Sequence, residues 1–125
     1  MLRLLVVDDE PRVARALQFA FNRGDVELIS VSEASEVENR AAEVHPDAIL
    51  LDLGLGGQSG LEVCRRLKGD DRFRDIPLLI LSGQTDARTK AEGLAAEADD
   101  FVAKPFVPTE LLARIEAQIK RRAKA

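Results

Sequence analysis

Three carboxylates stand side by side, Asp8, Asp9 and Glu10, directly after the apolar run "LLVV" and before Pro11. Like charges this close repel, so a fold that gathers them needs a positive partner. Other apolar runs end in a similar way. "AILL" ends in Asp52, "LLIL" ends in Ser82, and Lys104 follows "DFVA". If these run ends meet, Asp8, Asp9 and Asp52 share a site with a hydroxyl and an ammonium. A hard divalent cation removes the repulsion among the acids, and Mg²⁺ takes one or two carboxylates, a carbonyl and waters in octahedral geometry. Lys104 adds a point charge suited to a phosphate oxygen, and Ser82 a hydroxyl that can rotate to donate a hydrogen bond. That set reads as a phosphoryl-transfer site with an aspartate as covalent nucleophile.

The elements that must position these residues alternate strand and helix five times. Strands are predicted over 2–7, 26–31, 48–52, 76–82 and 100–103. A first helix starts at Pro11, carries Val13, Leu17, Ala20 and Phe21 at helical spacing, and stops at Gly24. Ser35 and Glu38 make a capping box for a second helix that Pro46 ends. Helices are also predicted over 61–68, 85–98 and 108–122. A (βα)5 rhythm argues for an α/β fold, a parallel five-stranded sheet with helices on both faces, and the doubly wound, flavodoxin-like order 2-1-3-4-5 is the arrangement expected for it. In that order ligands sit beyond the carboxyl ends of the strands, where the winding reverses between strands 1 and 3. Those are the strands that end in Asp8/Asp9 and in Asp52, so the acids are expected to converge.

Composition sets the outer bounds. At 125 residues, 46% hydrophobic and 32% charged, the chain reads as one soluble globular domain over residues 1–125. Its C-terminal helix over 109–123 either closes the domain or enters a linker. The single Cys excludes an internal disulfide framework or a thiolate metal site and fits a reducing, cytoplasmic setting. No signal peptide opens the sequence, and 2–7 is too short for a membrane span. A net charge of −4 carries no footprint for nucleic acid or an anionic membrane. The basic end, "IKRRAKA", is read as cations meeting a helix macrodipole.

On "VVDDE", "AILLDLGL" with Gly60 eight residues after Asp52, "LLILSG" and "DDFVAKPF", the chain resembles the receiver domains of two-component response regulators, the chemotaxis receiver among them. The spacings suit the family too, 30 residues from Asp52 to Ser82 and 22 from Ser82 to Lys104. The resemblance implies that Asp52 accepts a phosphoryl group from a phosphohistidine on a sensor kinase or phosphotransfer protein. It implies that Asp9, Asp52 and the backbone carbonyl of Gly54 bind Mg²⁺ (or Mn²⁺) directly, and that Asp8 does so through water with Glu10 in support. Ser82 and Lys104 are expected to contact the phosphoryl group, Ser82 and Phe101 to act as a switch, and the Lys104–Pro105 bond to be cis. The surface of the fourth helix, fifth strand and fifth helix would then change for an output partner, with no direct contact to nucleic acid or membrane.

Several positions depart from the family pattern. Gly56 replaces the usual proline, implying a loop of greater backbone freedom with the site chemistry intact. Glu97 replaces a glycine, so the end of the fourth helix is expected to be shaped differently. Val107 is a weak cap for the fifth helix. Gly54 and Gln84 occupy positions that tune phosphate lifetime in the family; Gly54, lacking a side chain, would leave the attacking water unpositioned. Lys90, Asp100, Glu110 and Arg114 match only part of the charge set of receivers that dimerise beside winged-helix domains. Ala95, Ala96, Glu116 and Ala117 break that set, which favours a stand-alone or differently coupled receiver. Among the remaining residues, Asp99 and Asp100 read as a structural turn and a helix salt-bridge partner, Cys64 as core filler and His45 as exposed and inert. Phe19, Phe21 and Phe73 read as packing residues. Two rival functions fit the residues less well. A haloacid-dehalogenase-type phosphatase needs a second Asp two residues after the nucleophile, where Gly54 stands. A pseudo-receiver interaction module would not need every site residue kept.

Overall fold

The computed structural model describes residues 1–8, 11–21, 24–53, 60–83 and 87–124, with only the backbone described at 11, 12 and 124. Asp9, Glu10, Gly54, Gly56 and Gln84 lie outside the described residues. The elements run β1 (Leu2–Val7), α1 (Pro11–Ala20), β2 (Val26–Val31), a 3₁₀ turn (Ala34–Glu36), α2 (Val37–Val44) and β3 (Ala48–Asp52). They continue as α3 (Gly60–Lys68), β4 (Leu78–Ser82), α4 (Ala87–Ala95), β5 (Asp100–Ala103) and α5 (Pro108–Lys124). The strands form one parallel sheet in the order β2-β1-β3-β4-β5, the expected doubly wound arrangement.

The pleat sorts each strand's side chains onto two faces. Leu5, Val7, Ile49, Leu51, Leu78 and Ile80 face α2, α3 and α4, joined by Val37, Val63, Cys64 and Leu67. Leu4, Val6, Leu50, Leu79 and Leu81 face α1 and α5, joined by Leu17, Phe21, Leu111 and Ile115. β3 and β4 are buried along their full length, as strands covered on both faces must be, while the edge strand β2 buries only Val31.

Four expectations are corrected. Phe19 is 88% exposed and Ala20 is also exposed. Val13, Leu17 and Phe21 set the inward stripe, and a residue two positions from Leu17 lies about 200° round the helix. Ser35 and Glu38 form no capping box. The chain enters α2 through the 3₁₀ turn, whose N-cap Glu33 makes no side-chain cap bond. Glu38 instead receives both arms of Arg66, at 2.7 and 3.0 Å, which ties α2 to α3. β4 begins at Leu78 rather than residue 76, after Pro77, which has no N–H to give the ladder.

Glu97 is the fourth. It adopts the left-handed conformation, φ 69°, that the family pattern assigns to glycine. Its N–H donates to the Leu94 carbonyl at 2.9 Å and that of Ala98 to Gly93 at 3.2 Å, the paired bonds of a Schellman cap. The helix end keeps the glycine shape despite the Cβ, at a cost of about 1–2 kcal/mol.

A second ion pair is buried at the amino ends of β4 and β5. Lys68, 4% exposed, donates to Asp99 at 2.7 Å and to the carbonyls of Arg74 and Ile76. Asp99 also accepts from the Leu78 N–H at 2.8 Å and from Arg122 of α5. Burial alone would push the Asp99 carboxyl up. The bonds from Lys68, Leu78 and Arg122 outweigh it and hold the group below its ordinary value.

Asp99→Asn leaves Lys68 buried without its counter-charge and is expected to cost about 3–5 kcal/mol in urea unfolding. Because Asp99 is depressed in the folded state, its contribution is complete above the ordinary carboxyl range and lost as pH falls through the lowered folded value. The difference between wild type and variant should therefore shrink in acid. Glu97→Gly relieves the left-handed strain but makes the unfolded chain looser; a net gain of about 0.5–1 kcal/mol is expected in the same assay.

Candidate functional site

The register of the sheet carries the candidate residues to one edge in steps. Val7 pairs with Leu51, so Asp8 and Asp52 leave β1 and β3 at the same level. Asp52 pairs with Leu81, which puts Ser82 one residue further along β4. Ser82 pairs with Ala103, and Lys104 comes one residue after that. The backbone closes the same staircase: Asp8 N–H donates to Val31 at 3.0 Å, Leu53 N–H to Leu81 at 3.0 Å and Lys104 N–H to Ser82 at 2.7 Å.

The acids are deeply placed. Asp52 is 4% exposed and Asp8 6%, and Ser82 beside them is 2% exposed. Lys104 reaches from the far side of the stair and donates to Asp52 Oδ2 at 2.8 Å. Asp52 Oδ1 is buried and has no hydrogen-bond partner among the described residues. An anionic oxygen in that position needs a cation or a new covalent neighbour, because a buried charge without a partner is costly. The donor set therefore fits a hard cation. Among the described residues no group of three His, Cys, Asp or Glu side chains gathers; Asp9 and the Gly54 carbonyl, expected to complete the set, lie outside them.

Gly60 fixes how β3 meets α3. A Cβ there would lie 3.0 Å from the Asp52 carbonyl oxygen and 3.0 Å from Leu53 Cδ2. The first contact is with backbone, which cannot swing aside, so the start of α3 can approach the end of β3 this closely only with glycine. The Lys104–Pro105 bond is cis. Phe101 is half-buried in β5 and packs against the α2–α3–α4 face.

Other candidates sit apart from this edge. Cys64 is fully buried, donates to the Ala96 carbonyl at 3.3 Å, and burial pushes its thiol up to about 11, so it is an inert core group. His45 is exposed and left-handed at the end of α2, φ 52°. On the α4–β5–α5 side, Arg114 pairs within the chain with Asp100 at 3.2 Å and Glu110 at 3.6 Å. Sequence reasoning missed Lys68; its only signal was a lysine beside Leu67 at the end of an apolar helix face.

Comparison with known proteins gives a consistent picture. The family model described as "Response regulator receiver domain" matches residues 4–116. The DNA-binding response regulator MtrA of Mycolicibacterium smegmatis is 38% identical over 119 residues, 95% of this chain and 51% of that protein. The transcriptional regulatory protein KdpE of Mycobacterium tuberculosis is 39% identical over 125 residues, 100% of this chain and 54% of that protein. The chain thus spans about half the length of these curated relatives. The BeF3-activated N-terminal receiver domain of Klebsiella pneumoniae RstA superposes with a TM-score of 0.84 at 26% identity, covering 94% of this chain and 97% of that one.

Gly60→Ala is expected to lower stability by about 1–3 kcal/mol, the usual cost of overpacking. Amide chemical-shift changes in the variant should centre on Asp52 and Leu53; changes spread evenly over the sheet would show that the close approach is not local.

Proposed function

We propose, from the premise that this chain belongs to the response regulator receiver domain family, that Asp52 is its phosphoacceptor. The chain is the receiver part of a two-component response regulator, a signalling domain whose state is set by phosphorylation. One observation carries the assignment of Asp52. A buried carboxylate has one oxygen held by Lys104 at 2.8 Å and the other without a hydrogen-bond partner among the described residues.

In the transfer, an Asp52 oxygen attacks phosphorus of a phosphohistidine on a sensor kinase or phosphotransfer protein. The P–O bond forms as the P–N bond breaks, and the electron pair leaves on the imidazole nitrogen, which takes up a proton. The transition state is loose, so the protein's work is positioning and charge compensation. Lys104 holds Asp52 in place and then faces the phosphoryl oxygens that gather charge. Ser82 donates its hydroxyl to one of them. Asp9, Asp52 and the Gly54 carbonyl would hold Mg²⁺, with Asp8 behind a water, and the ion would neutralise the acids and the incoming phosphoryl oxygens. Water later attacks the same phosphorus and returns the free carboxylate and phosphate.

The aspartyl phosphate brings about two negative charges and three strong acceptors. Ser82 moves toward it, and Phe101 follows into the volume released, which changes the α4–β5–α5 surface for an output partner. Ligand-like contacts at the phosphoryl group shift a balance between two existing conformations rather than creating a new one. Among the described residues no helix is long and apolar enough to cross a membrane, and the reading places the domain in the cytoplasm, where such kinases present their phosphohistidine.

Incubation with Mg²⁺ and acetyl phosphate, followed by intact-mass measurement, tests the assignment. A gain of one phosphoryl group is expected, absent in Asp52→Ala and absent when a chelator removes the ion. No gain in the wild type, or an equal gain in Asp52→Ala, would overturn it.

A further inference from the structure

α4 rests on the sheet in an unusual way. Among its residues only Gly93 is buried, and Leu94 beside it is 71% exposed. A helix normally packs through side chains, and glycine within a helix weakens it. Here the missing side chain is what makes the contact. A Cβ at position 93 would lie 3.2 Å from Cδ2 and 3.6 Å from Cε2 of the Phe101 ring, and 3.3 Å from Ile80 Cδ1. Ile80 and Phe101 are directly paired across β4 and β5, two residues before Ser82 and Ala103. The ring is thus seated on the bare backbone of α4, over Ile80, in a structure where Lys104 donates to Asp52.

We propose that Gly93 is a positioning residue that sets the resting state of the switch by giving the Phe101 ring its seat. This inference rests on the phosphoacceptor reading of Asp52. A methyl group at 93 is too close to the ring and to Ile80 for ordinary van der Waals contact, and a packed core resists absorbing it. The ring is the group with room to leave, since it is only half-buried. Filling the seat therefore weakens the resting position and, by linkage, favours the conformation that binds a phosphoryl group. The helix itself becomes stronger with alanine, so the effect has to be separated from helix stiffening.

The test places 4-fluorophenylalanine at position 101 and follows its fluorine resonance with and without beryllofluoride and Mg²⁺, a phosphoryl mimic. In ligand-free Gly93→Ala the resonance should move toward the position it takes in ligand-bound wild type. Beryllofluoride should bind the variant roughly threefold more tightly or better. With Phe101→Ala as the background, Gly93→Ala should leave the affinity unchanged. An unmoved resonance, an unchanged affinity, or equal tightening in the Phe101→Ala background would each overturn the proposal. Failure of the wild type to bind beryllofluoride is a different result. It would overturn the phosphoacceptor reading, and this linkage with it.

Discussion

The ion pair between Lys104 and Asp52 is the contact on which the site depends. A carboxylate withdrawn from water is tolerable only with a partner and satisfied lone pairs. Lys104 supplies half of that requirement at 2.8 Å, and the other oxygen has no hydrogen-bond partner among the described residues. The half-satisfied state is the useful one. Full pairing by protein groups would leave no lone pair of Asp52 for a ligand, and no pairing would leave its buried charge without compensation.

The sheet is built to deliver that pair. A parallel order of β2-β1-β3-β4-β5 puts all carboxyl ends at one edge, and the register raises each candidate residue by a step from Asp52 to Ser82 to Lys104. β5 is only four residues long and lies at the sheet edge, so its ladder alone holds it weakly. Charges hold both its ends. Asp99 ties its start to Lys68, the Leu78 N–H and Arg122, and Lys104 ties its exit to Asp52. Phe101 lies between these anchors, in β5.

Much of this was legible in the sequence, because apolar runs that stop at polar residues mark strands and their ends together. Four of the five strands have the bounds that the runs indicate, and only Pro77 shortened the fifth. What escaped was decided by contacts far apart in sequence. Glu38 was a plausible cap until Arg66, 28 residues on, claimed it. Lys68 looked like a solvated helix end until Asp99 and two carbonyls enclosed it. Glu97 shows tertiary packing overriding a local preference: α4 must turn there to feed β5, and the chain accepts left-handed strain to do it. Phe19 was misjudged by composition, since an aromatic in a helix invites burial although its angle on α1 faced it outward.

The central claim is that the phosphoryl group rests on Asp52 and nowhere else. Borohydride cleaves an acyl phosphate reductively and leaves an alcohol in place of the carboxyl carbon's oxygens, so aspartyl phosphate becomes homoserine. Peptide mass spectrometry of the phosphorylated and reduced protein should find homoserine at position 52 alone. Homoserine at Asp8, Asp9 or another carboxylate, or none at all in protein that carries the phosphoryl mass, would contradict the account.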